Sequence, residues 1–85
     1  MSGTDRIAVT LDEWPDDADS DEGVVVNWFV REGASTEVGE SLCEVQVEKV
    51  SVDVLAPTDG TLVEVVCGED DEFARGDTLA WLEPA

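Results

Sequence analysis

The residue types able to do chemistry in this chain are few. It has no histidine, two cysteines (Cys43 and Cys67), twenty-two aspartates and glutamates, and one lysine, Lys49. Without histidine there is no Ser-His or Cys-His pair to activate a nucleophile. The cysteines lack CxxC spacing and imidazole company, so a zinc site would be short of ligands, and both read as buried thiols rather than a disulfide. Lys49 is therefore the distinctive group, an amine on a long flexible stem. A lone lysine in a turn is most simply a solvated charge, and its surroundings must argue for anything more.

Those surroundings are patterned. If Glu48 and Lys49 form a two-residue turn, antiparallel pairing sets Val47 opposite Val50, Val45 opposite Val52 and Cys43 opposite Val54. Alternation then gathers these six apolar side chains on one face and leaves Glu44, Gln46, Ser51 and Asp53 on the other. A one-residue slip would send the valines to water, so the register fixes which residues occupy the tip. The hairpin spanning residues 43–54 should hold Lys49 out on a rigid support.

The chain around this hairpin is short and very acidic. Eighty-five residues suffice for one domain with a modest core, and a deep catalytic pocket is not expected. A formal charge of −18 opposes binding to nucleic-acid phosphates or anionic membranes, so partners should be basic or screened by salt. The 42% hydrophobic content separates the chain from acidic disordered sequences and favours a folded protein adapted to high salt. Its midpoint in urea should rise between low and molar salt, and equal melts at both would reject that adaptation. No apolar run reaches the length of a membrane span or signal peptide, and the expected location is the cytoplasm.

Residues 6–11 alternate, placing Ile7, Val9 and Leu11 on one face of an opening strand, and Trp14-Pro15 ends it. Residues 16–22 carry five carboxylates and read as a solvated surface loop with no metal site. From Gly23 the chain repeats with an offset of 37: Gly23 aligns with Gly60, Val26 with Val63, Glu32 with Glu69, Gly39 with Gly76 and Leu42 with Leu79. In this alignment Val25, Trp28 and Val30 match Leu62, Val65 and Cys67, a spacing that predicts a bulge in each strand. Short strands, frequent turn residues and no amphipathic helical segment give an all-β domain with internal two-fold pseudosymmetry over residues 1–85. A terminal pair of strands, Ile7 to Leu11 and Thr78 to Leu82, should balance the Lys49 hairpin.

With these pieces placed, the sequence resembles the lipoyl and biotinyl carrier domains. The resemblance is carried by Glu22-Gly23, Trp28 to Gly33, Val38 to Val45, Glu48 to Val54, Ala56-Pro57 with Gly60, and Gly76-Asp77 with Leu79. It implies a flattened β-barrel or sandwich of two four-stranded antiparallel sheets, with the modified lysine at a hairpin tip. By position that lysine is Lys49. Biotinyl domains typically flank the lysine with methionines, whereas Glu48 and Val50 are similar to the flanks in lipoyl domains of 2-oxoacid dehydrogenase acyltransferases. Gln46-Val47-Glu48 stands where the lipoyl pattern more often has Glu-Thr-Asp.

The resemblance implies lipoate amide-linked to Lys49, with Glu48 and Val50 as recognition flanks and no catalytic residue in the domain itself. It further implies a lipoate ligase or lipoyl transferase, together with thiamine-dependent decarboxylase, acyltransferase and flavin dehydrogenase components. The alternatives are biotin on Lys49 in a carboxyl carrier role, or an unmodified interaction module. The chain ends at Glu83-Pro84-Ala85 without an Ala/Pro-rich linker, which fits a free-standing carrier or an excised piece of a longer chain, and a start at Met1 favours the former.

Overall fold

A computed structural model describes residues 6–12, 14–16 and 18–85. Among these residues eight strands follow in chain order: β1 (Ile7–Val9), β2 (Glu22–Trp28), β3 (Ser35–Thr36), β4 (Ser41–Val47), β5 (Val50–Leu55), β6 (Gly60–Val65), β7 (Glu72–Ala74) and β8 (Ala80–Pro84). They form two four-stranded antiparallel sheets in the orders β1-β8-β6-β3 and β5-β4-β2-β7. The offset of 37 carries β2 onto β6, β3 onto β7 and β4 onto β8, and β5 then corresponds to β1, so one sheet order becomes the other. The domain is all-β and two-fold pseudosymmetric, as the repeat requires.

The symmetry extends to irregular features. The β2–β4 register shifts between Val25 and Asn27, and the β6–β8 register shifts between Leu62 and Glu64, which is the predicted pair of bulges 37 residues apart. Each half's tight turn caps the other half's bulged strand. Gly33 N–H donates to the Leu62 carbonyl at 2.6 Å, and its counterpart Asp70 N–H donates to the Val25 carbonyl at 2.8 Å. The carboxylate of Glu32 accepts the Val65 N–H at 2.8 Å, while that of Glu69 accepts the Trp28 N–H at 3.2 Å. The repeated glutamates are thus reciprocal clasps between the halves, a role beyond the acidic turn expected of them.

Core residues come from both sheets: Val9, Val25, Leu42, Val45, Val47, Leu62, Leu79 and Leu82 are all fully buried. Leu42 and Cys43 are adjacent yet both buried, because the β4–β5 register shifts between Ser41 and Cys43 and turns the strand by one residue. The terminal strands are displaced from their expected bounds. The first stops at Val9, with Leu11 still buried beyond it, and the last begins at Ala80 rather than Thr78. The Leu79 carbonyl accepts both Val66 and Cys67 N–H groups, at 2.9 and 3.0 Å, which interrupts regular pairing there.

Both cysteines are free thiols. Burial pushes the Cys43 thiol up to about 12, reinforced by the Asp53 charge and by Cys67. Burial also raises Cys67, with Asp71 and Asp77 adding to the effect. Each therefore stays protonated at neutral pH and serves as a small apolar side chain.

Among the described residues two ion pairs form, Arg6–Glu64 at 3.5 Å and Arg75–Asp21 at 3.8 Å, both on exposed side chains. Pairs of this kind contribute little stability. They leave most of the net negative charge uncompensated.

Candidate functional site

The hairpin around Lys49 pairs in the register set by its valines. Val47 lies opposite Val50, Val45 opposite Val52 and Cys43 opposite Val54. Cys43, Val45, Val47 and Val54 are buried and Val52 is partly so, whereas Val50 is 43% exposed. The apolar face is therefore continuous down to Val47, and of its last pair only Val50 stands out beyond the core. Glu48 and Lys49, which join that pair, are both exposed.

Glu48, the first of the two turn residues, takes a left-handed backbone with φ of 55°. Two-residue hairpin loops favour positive φ because it matches the twist of the flanking strands, although the conformation costs a residue bearing a Cβ about 1–2 kcal/mol. Something must hold Glu48 there. Its Oε2 accepts the backbone N–H groups of Asp19 and Ser20, each at 2.7 Å. Charge-assisted bonds of this kind are about twice as strong as neutral ones.

The acidic segment is thereby drawn against the lysine turn. It is more than the solvated loop expected over residues 16–22. Asp17 lies outside the described residues, Glu22 already belongs to β2, and Ala18 packs against the core. Trp14, expected only to break the first strand, is buried edge-on to Phe73 at 5.9 Å and donates its Nε1–H to the Ser20 carbonyl at 2.9 Å. A shallow acidic hollow between segment and hairpin is bordered by Glu22, Glu48 and Glu72.

No carboxylate pairs with Lys49 among the described residues, although the chain is crowded with acids. Lys49 is thus a primary amine on an ordered turn, open to solvent, with acidic groups close by in the fold. Such an amine can form an amide with an activated carboxylic acid, and its stem lets the product move. The structure brings Glu48, Lys49 and Val50 together at the tip. It also adds Asp19 and Ser20, which sequence reasoning missed because nothing local marks a backbone N–H as the partner of a carboxylate nearly thirty residues away.

Comparison with known proteins bears directly on this geometry. The family model of biotin and lipoyl attachment domains, described as "Biotin-requiring enzyme", matches residues 14–82. The chain belongs to the biotin/lipoyl attachment family. Domains of this family are carrier modules rather than catalytic units, although the relatives are parts of enzymes.

The dihydrolipoyllysine-residue acetyltransferase component of the pyruvate dehydrogenase complex from Corynebacterium glutamicum is 37% identical over 59 residues, 69% of this chain and 9% of that protein. Its counterpart from Staphylococcus aureus is 36% identical over 62 residues, 73% of this chain and 14% of that one. The chain thus spans only a small part of the length of these curated relatives. Among solved structures, the lipoyl domain of the 2-oxoglutarate dehydrogenase complex from Azotobacter vinelandii matches with a TM-score of 0.71 at 26% identity, covering 93% of this chain and 99% of that one. A single-chain, multi-domain long-chain acyl-CoA carboxylase matches with a TM-score of 0.70 at 20% identity, covering 98% of this chain and 7% of that one, and shares the fold.

Proposed function

We propose that this attachment domain is a lipoyl carrier that bears lipoate in amide linkage on Lys49 and serves a 2-oxoacid dehydrogenase type of system. The observation that carries this reading is the chain's only lysine, exposed at the tip of a hairpin whose register the core dictates and without a carboxylate partner among the described residues. The residues present fit the group. An amide needs a free amine, and a mobile arm needs an anchor that stays in place, which the buried Val45, Val47 and Val54 provide. When bound, the lipoyl group supplies a dithiolane that carries acyl groups and electrons between active sites. The chain's own residues position the anchor and present the surface that partners meet. Those partners are a lipoate ligase or lipoyl transferase, and thiamine-dependent decarboxylase, acyltransferase and flavin dehydrogenase components.

Lipoate is favoured over biotin by the flanks Glu48 and Val50 and by the lipoyl-bearing relatives. A direct test offers the purified protein to a lipoate ligase from its native host with lipoate and ATP, and separately to that host's biotin ligase with biotin and ATP. The expected result is one lipoyl increment, localised to Lys49 by peptide mass mapping, and no biotin increment. A biotin increment on Lys49 would move the domain to a carboxyl carrier role.

A further inference from the structure

Glu48 joins the acidic segment, which leads into β2, to the tip of the neighbouring β4–β5 hairpin. The acidic segment is fastened at its base to β7: Trp14 packs on Phe73, Arg75 lies 5.9 Å from the centroid of the Trp14 ring, and Arg75 N–H donates to the Asp21 carbonyl at 2.7 Å. In the sheet order β5-β4-β2-β7, that edge is two strands away from β4 and three from β5, the strands of the lysine hairpin. The segment continues into β2, the direct neighbour of β4, and the bonds from Asp19 and Ser20 to Glu48 Oε2 tie it to the residue beside Lys49. Ser20 is held from both sides, since its carbonyl accepts from Trp14 while its N–H donates to Glu48.

We propose that Glu48 is a positioning residue whose carboxylate clamps backbone Asp19–Ser20 to the Lys49 turn, so that a modifying or acyl-transferring partner meets the acidic segment and the lysine as one surface. The proposal rests on the reading of Lys49 as the attachment point. It assigns Glu48 a task different from that of a charged recognition flank, and the two are separable by side-chain length. Glutamine keeps a carbonyl acceptor at the same reach without the charge, whereas aspartate keeps the charge one methylene short.

The test compares wild type, Glu48→Gln and Glu48→Asp in two measurements. The first is amide hydrogen exchange at Asp19 and Ser20, which requires no modification of Lys49. The second is the rate at which a lipoate ligase modifies Lys49, resolved into kcat and KM. In Glu48→Asp both amides should exchange about tenfold faster or more, as loss of bonds to a charged acceptor predicts. Ligation should weaken mainly through KM, and both properties should rank wild type, then Gln, then Asp. Unchanged exchange in Glu48→Asp would overturn the clamp, as would a Gln variant that loses ligation more than Asp while its amides remain protected. If ligase modifies none of the proteins, the reading of Lys49 fails, and the exchange measurement alone decides the clamp.

Discussion

Replacing Lys49 by arginine should abolish modification completely while leaving the fold and its stability within about 0.5 kcal/mol of wild type. Arginine retains a positive charge on a long stem, but its guanidinium does not lose its proton and so offers no amine for acylation. The side chain is exposed, and no carboxylate pairs with it among the described residues, so little packing is lost. Intact mass before and after incubation with the host ligase gives the first readout, and thermal unfolding gives the second. A modified Lys49→Arg protein would mean that another nucleophile takes the group. A protein that unfolds would mean that Lys49 has a structural role hidden in this geometry.

The largest effect on stability should come from Gly60→Ala. A Cβ at Gly60 would collide with the Glu83 carbonyl oxygen and lie 3.1 Å from the Pro84 Cα, both on the backbone of the neighbouring strand. Gly60 and Pro84 are paired in the β6–β8 ladder, so relief requires the strands to part. The cost should reach about 3 kcal/mol, the upper part of the range for overpacking, and lower Tm by roughly 12–24 °C in a domain of this size. Its symmetry mate is a useful contrast. At Gly23 the nearest atom to a new Cβ is on the buried Phe73 ring at 2.8 Å, and the nearest backbone atom, the Gln46 carbonyl oxygen, lies further off at 3.1 Å, so Gly23→Ala should cost less. Gly39 has open space but a φ of 86°, and there alanine pays only for the left-handed backbone, about 1–2 kcal/mol. Equal losses at Gly60 and Gly39 would show that close strand approach is not what Gly60 provides.

The features legible from sequence are those fixed by alternation and repetition. Val45, Val47, Val50, Val52 and Val54 specify one register for the hairpin, and the 37-residue offset brings the paired bulges and turn glycines into phase. These are local patterns whose physical meaning does not depend on the rest of the fold. The missed features depend on contacts distant in sequence. Trp14 looks like a strand breaker until Phe73 is placed against it. Glu48 looks like a charged flank until the amides of Asp19 and Ser20, just ahead of β2, are folded against it. Glu32 and Glu69 align as repeats, but only the folded chain shows each accepting a backbone N–H from the opposite half. A carboxylate that bonds to backbone leaves no partner residue type in the sequence to find.

The central claim is that Lys49 carries lipoate. Its most direct measurement is the intact mass of the protein isolated from its native host, with fragmentation to locate any added group. The account predicts a single lipoyl increment on Lys49. A biotin increment there, or an unmodified Lys49 throughout the native protein, would contradict it.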